Sequence, residues 1–146
     1  MEDAGRRFLS YLLDTNVVSA LRRLDRFPSL SAWIARNATA VHFTSVVTIG
    51  EIERGIASKR RKDPHQAAIL RSWLDVILAK DAEFILPVTL AIARRWGSLV
   101  VQSKGANIAD MLLAATALEH DLTLVTGDAD DFAGIDGLRV ENPLGG

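Results

Sequence analysis

The sequence contains no cysteine. Disulfides, thiolate metal sites and cysteine nucleophiles are excluded together, and the chain fits a reducing compartment. Histidine is scarce, at positions 42, 65 and 120 only, which argues against an imidazole-built metal site. No stretch approaches the roughly 20 apolar residues of a membrane helix. The N-terminal MEDAGRRFLSYLLD has only a short apolar run, broken by Asp14, and is a poor match to a signal peptide. The expected location is cytoplasmic, with no membrane involvement. A net charge of −1 leaves no general electrostatic pull on nucleic acid, so any such contact has to come from local basic patches. There is no GxxxxGK[ST] loop to cradle a nucleoside triphosphate, and no GxSxG elbow for a serine hydrolase. Repeats, low-complexity tracts and long linkers are missing too, so residues 1–146 are expected to form one domain.

What is present is hydrophobic pattern. Apolar residues make up 49% of the chain, enough for a real core and against disorder. Short apolar runs at 8–13, 40–44, 83–88, 122–126 and 138–140 read as strands. Between them lie helical patterns at 15–24, 28–37, 48–59, from Pro64 onward, at 90–103 and at 108–120. The helix after Pro64 carries a stripe of Ile69, Leu70, Trp73, Leu74, Ile77 and Leu78. Residues 104–107 read as a loop. Alternation of strands and helices predicts an α/β fold, a mostly parallel central sheet flanked by helices.

Four acids lie in or beside these apolar stretches: Asp14 in YLLDTNVVSAL, Glu51 in TSVVTIGEIERG, Asp110 in NIADMLLAATA and Asp128 in LTLVTGDADDF. Desolvating a carboxylate is expensive, and carboxylates placed together repel. Sites in parallel α/β folds collect at the carboxyl ends of strands, and all four positions can reach one such edge. A hard divalent cation is the simplest object to account for all four, and an all-carboxylate set selects Mg²⁺ or Mn²⁺. With no cradle for a nucleoside triphosphate and the usual serine hydrolase arrangement disfavoured, metal-assisted hydrolysis of a phosphodiester remains.

LLDTNV, TSVVTIGEIERG, ADMLLAATA and LVTGDADDF resemble the signature segments of PIN-domain ribonucleases. Within that group they resemble the VapC and FitB-like toxins of bacterial toxin–antitoxin pairs. The resemblance runs from about Tyr11 to Pro143, and its specificity lies in the set of four segments in this order. It implies a PIN-like three-layer fold, Mg²⁺ or Mn²⁺ dependence and endonucleolytic cleavage of RNA, whether transfer, ribosomal or messenger. It also implies a homodimer and a small antitoxin whose tail covers the site. By motif, Asp14 and Asp110 are the expected metal ligands, Glu51 the second acid and Asp128 the fourth, with Asn16 and Thr126 as supporting polar groups. One departure stands out. Many relatives read TRNxxDF where this chain reads TGDADDF, so Gly127 replaces a basic residue and Asp131 can share or take over the fourth role.

Each acid also has a plainer reading. Asp14 can cap the helix from Thr15, Glu51 can close a capping box with Thr48, Asp110 can complement a helix N-terminus, and Asp128 can be ordinary turn composition. Capping and ligation are compatible, and the joint occurrence favours a site. The alternatives are a non-catalytic RNA- or protein-binding PIN-like module, or a phosphoryl-accepting receiver domain; the latter lacks the lysine expected after a late strand. Glu53 is expected on another helix face. Trp33, Trp73 and Trp96 are expected as core or dimer contacts, and His42 as packed. Lys59–Lys62, with Arg22 and Arg23, are either solvated or a phosphate-guiding patch.

Overall fold

The computed structural model describes residues 10–103 and 107–145. Phe8 and Leu9 of the expected first strand, and residues 104–106 of the expected loop, lie outside them. Strand β1 (Ser10–Leu13) leads into helix α1 (Thr15–Ala20), a 3-10 segment (Leu21–Arg26) and α2 (Pro28–Arg36). Strand β2 (Val41–Ser45) follows, then α3 (Val46–Lys62) and α4 (Pro64–Lys80). The short β3 (Ile85–Leu86), α5 (Leu90–Gln102), α6 (Ile108–His120), β4 (Thr123–Val125), a 3-10 turn (Ala129–Phe132) and β5 (Val140–Glu141) complete the described chain.

The five strands form one sheet in the order β3-β2-β1-β4-β5, every pairing parallel. β1 is central, so both its faces are covered, and Tyr11, Leu12 and Leu13 are all buried. Successive side chains point to opposite faces. Tyr11 and Leu13 enter the layer formed with Val17, Leu30, Trp33, Ile52, Ile56 and Leu74 from α1 to α4. Leu12 enters the other, with Ile92 and Leu99 of α5 and Met111, Leu113 and Ala114 of α6. Truncating a fully buried member such as Leu124 to Ala is expected to cost about 2–5 kcal/mol. The three-layer architecture is as expected.

The differences are local. β3 is two residues long because a 3-10 turn (Ala82–Phe84) takes up its start and Pro87 ends it. Helix α3 begins at Val46, capped by Ser45, whose hydroxyl accepts from the Val47 amide at 2.9 Å. The expected capping box of Thr48 with Glu51 is therefore not formed. Serine at the strand end caps the chain as it turns straight into helix, which puts Thr48 inside the first turn, fully buried. The helical pattern expected to end at Lys59 runs on to Lys62, so Lys59–Lys62 is the last turn of α3, where cations meet the partial negative charge of the helix end. Asp63 and Pro64 then stop α3 and start α4, Asp63 accepting from the Gln66 amide at 3.1 Å. Glu53 leaves the acid side of α3 and pairs with Arg71 at 2.8 Å. Trp33 is buried edge-on to Tyr11, its indole N–H donating to Glu141 at 2.8 Å, and Trp96 packs in the second layer. Among the described residues no helix is long and apolar enough to cross a membrane.

Candidate metal centre

The sheet order reverses at β1: the chain moves to β2 on one side and later returns to β4 on the other. The crevice beyond the carboxyl ends of β1 and β4 is the switch point where α/β folds place ligands. Asp14 sits there, one residue after β1. Its amide extends the ladder by donating to the Val125 carbonyl at 2.8 Å, and its extended backbone (φ −71°, ψ 160°) makes it the N-cap of α1. One carboxylate oxygen accepts from the Thr15 amide at 2.7 Å and the other from the Thr126 hydroxyl at 2.7 Å. Asp14 thus caps a helix and is also oriented from β4. It is 5% exposed. Burial raises its carboxyl above the ordinary value. The bonds from Thr126 and Thr15 work against that rise, and the charges of Glu51 and Asp128 add to it.

The loop after β4 is stitched to the loop after β1. Thr126 Oγ1 accepts from the Asp128 amide at 3.0 Å while donating to Asp14. Asn16 accepts from the Gly127 amide at 3.1 Å and donates to Asp128 Oδ2 at 2.8 Å. Both supporting residues expected from sequence therefore contact the acids. Gly127 has a steric reason as well: a Cβ there would lie 2.6 Å from the tip of Leu144, which would have to move aside.

Glu51, on α3, is oriented from α1, since the Thr15 hydroxyl donates to its Oε1. Thr15 Oγ1 also lies 3.0 Å from Thr48 Oγ1. Thr15 has one proton and gives it to Glu51, so Thr48 is the donor to Thr15. Sequence reasoning missed this Thr48–Thr15–Glu51 relay. Its only trace is a threonine on each side of the pairing, in DTN and in TIGE, and no periodicity links residues so far apart.

Asp110 comes from the opposite layer. Asn107 caps α6 and accepts from the Asp110 amide at 3.2 Å, which fixes this first turn beneath the crevice. No described residue donates to the Asp110 carboxylate. Desolvation, and then the charges of Asp14, Asp131, Glu51 and Asp128, push it up to about 6 from 3.8. Asp110 is thus within electrostatic reach of the other three expected acids and of Asp131. Asp131 lies exposed in the 3-10 turn Ala129–Phe132, its amide donating to the Asp128 carbonyl at 3.0 Å.

Among the described residues no three carboxylate or imidazole side chains are drawn together tightly enough to form a ready ligand cage. Carboxylates gathered at one edge repel one another, and a cation would relieve that repulsion. The donor set is all oxygen, from carboxylates, threonine hydroxyls and an asparagine amide, and it suits a hard divalent ion and not zinc or copper.

A model of the PIN domain matches residues 11–138. Ribonuclease VapC14 of Mycobacterium tuberculosis is 39% identical over 100 residues, covering 68% of this chain and 89% of its own length. The structure of FitAB bound to an IR36 DNA fragment aligns with a TM-score of 0.77 at 27% identity, covering 92% of this chain and 96% of that one. A toxin–antitoxin complex from Klebsiella pneumoniae aligns with a TM-score of 0.61 at 26% identity, covering 91% and 97%. With its parallel sheet, its acids at the β1/β4 crevice and these matches, the chain belongs to the PIN-domain family, among the VapC- and FitB-like proteins.

Proposed function

We propose that this protein is a Mg²⁺- or Mn²⁺-dependent endoribonuclease and the toxin of a toxin–antitoxin pair. The observation that carries the reading is the surroundings of Asp110, a carboxyl pushed up by burial and then by the charges of four other acids, which the end of β1, helix α3 and the turn after β4 bring to one sheet edge. The ribonuclease relative supports RNA as the substrate.

In this reading Asp14 and Asp110 hold the ion from opposite layers, one already oriented by hydrogen bonds and the other free to turn toward it. A bound divalent ion would supply positive charge for the attacked phosphate and the departing oxygen, and would acidify water at the site. Glu51, held by Thr15, and Asp128, held by Asn16, complete the ring of acids and are placed to position the attacking water and accept its proton. Asp131, whose charge also reaches Asp110, is the alternative for the fourth role.

Two surfaces support the partners. An apolar recess of about 550 Å³ between α2 and α4, lined by Val18, Leu30, Trp33, Ile34 and Ile77, offers an antitoxin segment a hydrophobic seat, in keeping with the similar toxin–antitoxin complex. Leu90 and Val101 share one face of α5 and are 78% and 77% exposed, with Ile108 of α6 at 62%; this stripe suits a second copy of the chain.

The test is cleavage of a mixed RNA pool, transfer RNAs included, by antitoxin-free protein with Mn²⁺, with EDTA and as Asp14→Asn. Cleavage by the wild type with metal alone supports the reading. Binding of RNA without cleavage under any of these conditions would leave a non-catalytic binding module.

A further inference from the structure

A second cleft opens from the acid site. It has a volume of about 370 Å³ and runs between α1 with its 3-10 extension, α3 and α4. At one end are Thr15 and Glu51, and at the other Arg22, Arg23, Lys59 and Trp73. Glu51, Gly55 and Lys59 succeed one another at four-residue spacing on α3, so they follow one face of that helix along the cleft. Lys59 lies eight residues beyond Glu51, roughly 12 Å along the axis. At about 8 Å Debye length in physiological salt, a charge at that distance does little to neutralise the acids. The cationic end therefore does not serve to balance the acids.

The cationic end has no acidic counterpart of its own. Among the described residues Arg22, Arg23 and Lys59 form no ion pair, and the neighbouring Glu53 is already taken by Arg71. Consecutive residues of a regular helix diverge by about 100°. Arg23 breaks the helical geometry (φ −135°, ψ 51°), and Arg22 and Arg23 both line the cleft. Arg22 lies over the Trp73 ring, 5.5 Å from its centroid, which fixes the guanidinium and occupies that aromatic face. Burial, and then the charge of Arg23, push the Arg22 guanidinium below its ordinary value, so the two cations are held together against their repulsion. Two adjacent arginines without a carboxylate suit phosphate oxygens, which a guanidinium binds through paired donors.

We infer that Arg22, Arg23 and Lys59 form a phosphate subsite that holds the RNA backbone beside the scissile bond, with the strand running along α3 over Gly55. This rests on the ribonuclease reading and deepens it. It also accounts for RNA reaching a ring of acids on a protein of net charge −1, since the attraction is local.

The test is binding of a short, fluorescein-labelled single-stranded RNA of mixed sequence in EDTA, so that neither metal nor cleavage enters, across about 50–200 mM salt. Loss of one phosphate contact should lower the log–log salt slope by about 0.7. Exposed Lys59→Gln should show one such step, and the triple variant Arg22→Gln/Arg23→Gln/Lys59→Gln a drop of about 2. Gly55→Met should weaken binding with no change of charge. An added Cβ at Gly55 meets nothing within 4 Å, and methionine favours helix, so the fold tolerates the change while the cleft is filled. Slopes and affinities equal to wild type in Lys59→Gln and the triple variant would overturn the subsite alone, provided wild type binds and cleaves RNA. A wild type that neither binds nor cleaves RNA would remove the subsite and the ribonuclease reading together.

Discussion

Asp14 and Asp110 face the same crevice from opposite layers of the sheet, and they are prepared in opposite ways. Asp14 is almost wholly buried, yet both its oxygens accept hydrogen bonds from groups that the β1–β4 pairing puts in place. Asp110 is only half-buried, its carboxylate receives no hydrogen bond from a described residue, and it is pushed up to about 6 by burial and surrounding acids. Burial alone therefore does not decide how a carboxylate behaves; the donors around it do. In the proposed centre Asp14 is a fixed ligand made by the fold, and Asp110 a strained one whose discomfort a cation relieves.

The sharpest way to break this contrast is to remove each carboxylate charge. Asp14→Asn and Asp110→Asn should each reduce RNA cleavage by more than the roughly 10–100-fold typical of a residue that only supports a metal ligand. Single-turnover assays at saturating Mn²⁺ check this, and wild-type rates in either variant would contradict it. Thr126→Val should act on one side only. It keeps the shape but leaves an Asp14 oxygen and the Asp128 amide without their partner, with an expected loss of about 1–3 kcal/mol of stability. Cleavage should fall by about 10–100-fold. Urea unfolding beside the cleavage assay reads both.

Titration sharpens the contrast further. The folded protein holds the Asp110 proton up to about pH 6 against an ordinary 3.8. That group's stability contribution is thus fully present below 3.8 and lost as pH rises through about 6. His42, lowered by burial, works the other way: its contribution is present above the ordinary imidazole value and lost as pH falls. Comparison with Asp110→Asn separates the two. Metal-free Asp110→Asn should melt above wild type at pH 7.5, with the gap closing toward pH 4, where both side chains are neutral. Calorimetry at several pH values measures the gap, and a constant one would contradict the assignment. The smallest effect concerns the fourth acid. Asp128 is already held by Asn16, so Asp128→Asn should raise the Mn²⁺ concentration needed for half-maximal cleavage more than Asp131→Asn does. The reverse order would move the fourth role to Asp131.

Much of this was legible in the sequence because it rests on short-range pattern. The apolar runs of β1 and β4, the stripe of α4 and the alanine-rich α6 fix the α/β alternation, and strand-end placement puts Asp14 and Asp128 at one edge. The matches of sequence and structure to VapC- and FitB-like proteins bear out the resemblance that LLDTNV and its companion segments carry. Contacts distant in sequence were not legible. Thr15 looks like the first residue of a helix, and only the packing of α1 against α3 makes it the donor that orients Glu51. Ser45 outcompetes Thr48 as a cap because β2 runs one residue further than its apolar pattern suggests. The cleft carrying Arg22, Arg23 and Lys59 needs the kink at Arg23 and the seat on Trp73, neither of which leaves a periodic signal.

The central claim is that acids from two layers close on one divalent ion, and titration calorimetry of antitoxin-free protein with Mn²⁺ at pH 7.5 and pH 5.5 tests it most directly. The account predicts saturable binding that weakens at pH 5.5, where Asp110 must give up a proton, and that is lost in Asp14→Asn. Binding equal at the two pH values and unchanged in Asp14→Asn would contradict it.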